Sequence, residues 1–380
     1  MSEGIKTFRD LQQEVIDRGL CGKCGGCVSF CSAGRLHALE MGEDDLPRFA
    51  DEENCLKCGI CYMICPVTGE LDAEVRRRFG WKPPIGNYEM IRSARATDEA
   101  VRRVATDGGV VTSLLLCMLD THLIDGAIVS QKTSVFGRAP VIATTREDLL
   151  SAAGSHFGGS AHLEELGDQY TTYSPTISAV KGLEQRHLRR VAMVGTPCQV
   201  RSVKKMQALG ILPAHIITYT IGLFCMENFV FEAVGRHRLE ERLQIDLSDI
   251  DKLNVKEDMI ITLRDGRTIH VPFDQLDDVA RPACLACTDF ANEYADLSAG
   301  GLGSPKGYTT ILTRTERGSG IYSRALSQGY IEEMPLGEWA AMRAAEDRMG
   351  AEVIAFAERK RARGEARLIE LRSEGGTDRE

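Results

Sequence analysis

The strongest constraint on this chain is a duplicated cysteine run near its N-terminus. Cys21, Cys24, Cys27 and Cys31, then Cys55, Cys58, Cys61 and Cys65, share the spacing C-x2-C-x2-C-x3-C. Each cysteine of the second run lies 34 residues after its counterpart, so one cluster-binding half is repeated. Closely spaced thiols wrap one cube from a single loop, and Gly22, Gly25, Gly26 and Gly59 allow the turns that this requires. In such iron–sulfur repeats the fourth cysteine of each run ligates the other cluster. The expected sets are Cys21, Cys24 and Cys27 with Cys65, and Cys55, Cys58 and Cys61 with Cys31. Pro66 follows the last ligand, whereas Ser32 takes the equivalent place in the first half. A proline there shapes the exit and donates no bond, so the substitution is tolerable.

Zinc sites use separated C-x2-C pairs, and disulfides need an oxidising compartment. The first residues, MSEGIKTFRDLQQEVIDRG, are charged and lack an apolar signal core. The expectation is a cytoplasmic protein, or one peripheral on the cytoplasmic face of a membrane complex. The best apolar stretch, Val110–Leu119, is ten residues long and contains Thr112 and Ser113, short of the roughly 18 needed to span a bilayer. A net charge of −9 argues against nucleic acid as a partner.

Eight of the 13 cysteines fall within the first 65 residues, which implies a small cluster module ahead of a larger domain. The expected division is a two-cluster domain over 1–73, of the α+β bacterial 2[4Fe-4S] ferredoxin type. A linker follows over 74–92, broken by Pro83, Pro84 and Gly86. From there the pattern alternates. Helices are expected over Gly109–Leu123, Arg146–Ala153 and Gln199–Leu209, and strands over Gly126–Ser130, Pro140–Thr144, Val191–Val194, His215–Phe224 and Tyr308–Arg314. Met259–Val271 reads as a hairpin around Asp265-Gly266. This predicts an α/β domain with a mixed sheet over 93–335. The last segment, 336–380, is charged and helical, with Gly350 and Gly364 expected to interrupt it. It reads as a solvated helix with a frayed end, its sharper alternative being a docking arm for a partner subunit.

Four further cysteines stand at strand ends or in a loop: Cys198 in VGTPCQ, Cys225 in GLFCMEN, and Cys284 and Cys287 in RPACLACTDF. Four thiols are what a cubane requires, although spacing alone leaves zinc open. Cys117, inside LLLCML, has no partner in the pattern and reads as core.

The blocks TDGGVVTSLL, GSHFGGS, GTPCQ, GLFC, CLACTDFANEYADLSAG and GSPKGYTTILTRTERG occur in this order. In them the chain resembles the family of beta subunits of coenzyme F420 hydrogenases and dehydrogenases, over roughly residues 16–320. With its N-terminal repeat it is most similar to the electron-input subunit type of F420H2 dehydrogenase. The resemblance implies FAD in the α/β domain, coenzyme F420 docked against it, and a third cluster held by Cys198, Cys225, Cys284 and Cys287. Reduced F420 gives up a hydride whereas each cubane takes one electron, so a flavin must stand between them.

Candidate cofactor contacts follow. Gly300, Gly301, Gly303 and Gly307 form a glycine-rich stretch, and Asp107, Gly108 and Gly109 open a helix whose N-terminus attracts anions. Thr112 and Ser113 supply hydroxyls at that helix, and Thr196 belongs to GTPCQ. Gly154, Ser155, His156 and Ser160 match a block that contacts flavin in relatives; His162 is a neighbour. F420 carries a phosphate and a glutamate tail, for which Lys306, Arg314 and Arg317 are first candidates and Arg201 and Lys204 next.

The predicted activity is hydride transfer between F420 and FAD, then single-electron transfer to or from a partner complex. That partner would be of heterodisulfide reductase, hydrogenase, formate dehydrogenase or membrane dehydrogenase type. A ferredoxin-dependent flavin reductase of an organic substrate, and an electron relay without flavin, are the alternatives.

Overall fold

The computed structural model describes residues 4–33, 36–132, 138–154, 169–171, 177, 179–180, 183, 186–335 and 339–374. The N-terminal segment holds α1 (Phe8–Leu11), continued by a π-helical turn over Gln12–Ile16, then α2 (Gly26–Ala33), β1 (Leu39–Met41), β2 (Pro47–Phe49), α3 (Ile60–Met63) and α4 (Asp72–Arg78). β1 and β2 form an antiparallel hairpin with Leu39 opposite Phe49. The two cysteine runs flank this hairpin, and each leads into a helix: α2 carries Cys27 and Cys31, and α3 carries Cys61. Phe8, Leu11, Val28, Leu39 and Tyr62 fill the space between the runs. The Phe8 ring meets Phe49 edge to face with centroids 4.8 Å apart, a favoured aromatic geometry.

The larger part begins with β3 (Met90–Ala96), α5 (Glu99–Val104), α6 (Val110–Asp120), β4 (Gly126–Lys132), β5 (Arg138–Ala143), α7 (Arg146–Ala152) and β6 (Gln169–Thr171). It continues through β7 (Val191–Gly195), α8 (Pro197–Ala208), β8 (Ile217–Leu223), β9 (Val230–Glu232), α9 (Ala233–Leu243), β10 (Ile250–Val255), β11 (Met259–Leu263) and β12 (Thr268–Val271). α10 (Pro282–Leu285), β13 (Leu297–Gly300), β14 (Thr309–Thr313), α11 (Glu316–Ser327), β15 (Ile331–Glu333) and α12 (Trp339–Glu374) complete the chain.

Eight strands make one mixed sheet in the order β15-β3-β14-β13-β8-β7-β4-β5. Its centre, β13-β8-β7-β4, is parallel, and the outer strands join antiparallel. Parallel strands are covered on both faces, which explains the unbroken apolar run VAMVG of β7. Beneath the sheet lies α6, with Leu114, Leu115, Leu116, Cys117 and Met118 all buried. Cys117 is therefore a core residue. β10, β11 and β12 form a separate antiparallel meander whose last turn is the Asp265-Gly266 pair.

Two segments differ from the sequence expectation. Residues 74–92 are no free linker: α4 occupies their start, Ile85 is fully buried, and the Trp81 indole donates to Glu293 Oε2 at 2.5 Å. Over Trp339–Glu374 the C-terminal segment is one uninterrupted helix, solvated on one side and packed on the other. α12 runs through Gly350 and Gly364 and buries Met349, Val353 and Ala357 in the core shared with Phe273 and Phe290. Leu368 and Leu371 then pack on the N-terminal core, where Arg18 donates to the Leu371 carbonyl at 2.6 Å. The buried positions Ala345, Met349, Val353, Ala357, Lys360 and Gly364 recur every three or four residues on one face, but the alanine, lysine and glycine among them keep that face from reading as apolar in the sequence.

Candidate functional site

The parallel strands deliver two thiols to one end of the sheet. β7 ends at Gly195 and leads through Thr196 and Pro197 to Cys198, while β8 ends at Leu223 beside Phe224 and Cys225. The space beyond the carboxyl ends of parallel strands is where open α/β sheets place ligands. The loop carrying Cys284 and Cys287 is fastened to the same place. The Asn292 amide donates to Gly195 O at 2.9 Å and Leu223 O at 3.3 Å, and the Cys225 amide donates to Phe290 O at 3.0 Å. Burial pushes the Cys284 thiol up to about 11, with Cys287 adding to the rise. For Cys225, burial is again the main cause of a large upward shift, which Lys360 opposes and Cys284, Cys198 and Cys287 reinforce. These four thiols thus share one buried environment. Two polar groups point at them: Asn228 Nδ2 donates to Cys225 Sγ at 3.5 Å, and Thr196 Oγ1 lies 3.2 Å from Cys198 Sγ.

The N-terminal thiols group in the same way. Burial raises Cys21 to about 11, and Cys65 is the thiol that pushes it further. Cys24 and Cys27 are raised well above the usual range, first by burial. The next largest contributions come to Cys24 from Cys198 and Cys65, and to Cys27 from Cys24, Cys21, Cys65 and Cys61. Cys61 is pushed to about 12 by burial, then by Cys58, Cys55 and Cys31. Cys31, Cys55, Cys58 and Cys61 also line one cavity of about 360 Å³, mouth included, with Phe8, Phe30 and Leu39. Cys198 is among the groups that raise Cys24, and Cys61 among those that raise Cys27, so the three groups lie within electrostatic reach of one another. Among the described residues, no three His, Cys, Asp or Glu side chains close around a single-ion site.

α8 joins the N-terminal segment to the sheet. Lys205, fully buried, donates to the carbonyls of Cys65 and Thr68, both at 2.8 Å, and lies 3.1 Å from Asp72. Arg201 pairs with Asp72, and the Lys204 ammonium stands 4.6 Å from the centre of the Phe79 ring and 3.6 Å from Asp296. Arg201 and Lys204, expected as F420 contacts, are therefore committed to packing α8 against its neighbours.

Arg314 requires the same correction. It is buried, and its guanidinium donates to Ser298 Oγ, Ile85 O, Asn87 O and Ala291 O at 2.6 to 3.0 Å. Arg317 is half-exposed and donates to Thr218 O, at the start of β8. Both stand at the Leu297–Thr313 end of the β13–β14 pair, whereas Lys306 stands past the Gly300–Thr310 end. Lys306 therefore stands apart from both.

At that far end a charged group collects around Asp107. Asn254 Nδ2 donates to Asp107 Oδ1 at 3.0 Å, and Lys256 Nζ lies 4.0 Å from the same oxygen. Burial raises the Asp107 carboxyl, and Lys256 and Lys252 pull it back. Burial lowers Lys252, which has Asp107 and Lys306 as its next neighbours in effect. Lys252, Asn254 and Lys256 carry no motif, and only the meander's position brings them here. Gly108 and Gly109 precede α6, whose first turn holds Thr112 and the buried Ser113. Gly300 and Gly301 are tightly enclosed: a Cβ would stand 2.3 Å from the Phe224 ring in one case and 2.7 Å from Asp107 Oδ2 in the other. Gly303 backs onto Met349 of α12. Gly154 closes the segment after α7, while Ser155, His156, Ser160 and His162 lie outside the described residues.

Comparison with known proteins agrees with this architecture. The family model for the N-terminal part of the coenzyme F420 hydrogenase/dehydrogenase beta subunit matches residues 91–166, and that for its C-terminus matches residues 188–338. The beta subunit of coenzyme F420 hydrogenase from Methanothermobacter thermautotrophicus is 30% identical, over 67% of this chain and 87% of that protein. A subunit of the F420H2 dehydrogenase of Methanosarcina mazei is 26% identical, over 85% of this chain and 87% of its own. A chain of the F420-reducing [NiFe] hydrogenase complex from Methanosarcina barkeri superposes with a TM-score of 0.63 at 28% identity, covering 76% of this chain and 94% of that one. With both family models matched in order on a sheet shared with a hydrogenase chain, the protein belongs to the family of coenzyme F420 hydrogenase/dehydrogenase beta subunits.

Proposed function

We propose that this protein is an F420-dependent flavin and iron–sulfur oxidoreductase subunit. It moves hydride between coenzyme F420 and FAD, and single electrons through three [4Fe-4S] clusters to or from a partner complex of hydrogenase or dehydrogenase type. The observation that carries the reading is the row of three thiol groups, running from Cys198 at the sheet through Cys24 to Cys61. Four cysteines lining one cavity suit a cubane, and Cys198, Cys225, Cys284 and Cys287, which act on one another at the end of the sheet, match the number that another requires. Thiols raised by burial and by one another are stable as ligands because bound iron deprotonates them.

Cys21, Cys24, Cys27 and Cys65 would hold one cluster, Cys31, Cys55, Cys58 and Cys61 the second, and Cys198, Cys225, Cys284 and Cys287 the third. The Thr196 hydroxyl and the Asn228 amide orient Cys198 and Cys225 and donate toward their sulfurs. Lys252, Lys256 and Lys306, with the N-terminus of α6, supply the positive charge that an acidic protein needs to bind phosphates. Bound FAD supplies the conversion between a two-electron hydride and one-electron carriers. Cys58 is exposed and Leu56 beside it is 70% exposed, which makes this end of the row the exit toward a partner.

Anaerobically purified protein supplied with FAD should contain about twelve irons and reduce a one-electron dye from reduced F420. Reduction of an organic substrate by reduced ferredoxin, with no response to F420, would replace this reading with a ferredoxin-dependent flavin reductase.

A further inference from the structure

α12 lies beyond the stretch matched by the family models, which end at residue 338, yet it brings a cation to the third thiol group. Lys360 is 1% exposed, and its ammonium donates to the Cys225 carbonyl at 2.5 Å. One turn further along, Gly364 lies against the loop of Cys287, where a Cβ would stand 2.7 Å from Cys287 O. Cys225, Cys284 and Cys287 are all within electrostatic reach of Lys360. Two carboxylates act on Lys360: Asp289, and Glu227, which also pairs with Arg363 at 2.7 Å. An ammonium has three donors, and burying it with one carbonyl acceptor is costly unless an anion compensates.

We propose that Lys360 supplies the fixed positive charge that raises the reduction potential of the cluster held by Cys198, Cys225, Cys284 and Cys287. The proposal rests on the third-cluster reading above. A cubane bound by four thiolates is anionic and gains one more negative charge on reduction, so a buried cation beside it favours the reduced form. The residue thereby makes this cluster the better acceptor for electrons leaving the flavin. It positions charge and does not touch the reacting atoms.

The test is an EPR-monitored redox titration of the full-length protein, with iron and acid-labile sulfide counted, for the parent, Lys360→Met and Lys360→Arg. Lys360→Met should keep about twelve irons. One of its three midpoints should fall enough to lower the reduced-to-oxidised ratio at fixed potential at least tenfold, ~59 mV for one electron. The other two midpoints should hold, and Lys360→Arg should stay within threefold of the parent. Loss of one cluster from the Met variant alone also supports the proposal. Three unchanged midpoints with full iron would overturn it, as would loss of the cluster from both variants, which would mark Lys360 as a packing residue. About eight irons in the parent itself would instead remove the third cluster, and the proposal with it.

Discussion

Two buried side chains hold the thiol groups in register, and neither is a cysteine. Lys205 ties α8 to the carbonyls of Cys65 and Thr68 and to Asp72. Breaking a buried ion pair from one side costs ~3–5 kcal/mol, and the partial exposure of Asp72 puts this case near the lower end. Lys205→Met should therefore lower the anaerobic melting temperature by several degrees and loosen the cluster proposed at Cys65, seen as faster bleaching of visible absorbance. Unchanged melting and bleaching would deny it that role. Asn292 acts at the other end, in a left-handed backbone conformation with φ +60° and with its amide on the ends of β7 and β8. Asn292→Ala removes a buried bond to Gly195 O and a part-buried one to Leu223 O, a loss of ~1–3 kcal/mol measurable as a lower denaturant midpoint. The cysteines were legible in the sequence because ligand spacing is local. Arg314 was misread because proximity to a glycine-rich stretch in sequence says nothing about which end of a hairpin a side chain occupies. Lys252, Asn254 and Lys256 were missed for the complementary reason, since their neighbour Asp107 is more than a hundred residues away.

At the level of elements, α12 decides most. Its two glycines make a controlled comparison. At Gly364 an added Cβ would stand 2.7 Å from Cys287 O and 3.0 Å from Cys287 C, and backbone cannot yield as a side chain can. Gly364→Ala should cost ~1–3 kcal/mol and shift the loop of Cys284 and Cys287, measurable by thermal unfolding and by iron content. At Gly350 the nearest atom is Tyr88 Oη at 3.9 Å, so Gly350→Ala should be neutral or stabilise by up to ~1 kcal/mol through helix propensity. Equal effects at the two positions would contradict the packing described. The strands and helices of the parallel centre were readable from their apolar runs. β15 and the burial of α12 were not, because three residues are too few to show a period and the buried face of α12 mixes alanine, lysine and glycine with its apolar positions.

For the whole molecule, the consequence is an ordered row of thiol groups from the sheet to the surface. Cys31→Ser should perturb the EPR signal of the outer cluster, with Cys55, Cys58 and Cys61, and leave the signal of its own run largely intact. Cys65→Ser should do the reverse. Perturbation confined to each cysteine's own run would refute the exchange of fourth ligands. Cys198→Ser should leave flavin reduction by F420 in place while slowing electron arrival at the N-terminal clusters, followed by stopped-flow absorbance. The sequence by itself determined that ten thiols stand in ligand-like spacing, that an alternating α/β region follows, and which family blocks lie in it, since each is a property of neighbouring residues. Tertiary structure decided that Cys198 comes within electrostatic reach of Cys24, that the expected phosphate arginine is a buried clamp, and that Lys360 returns from the far end of the chain to the thiols. Those relations depend on long-range packing, and packing is settled by which buried surfaces fit together, at separations over which no periodicity survives.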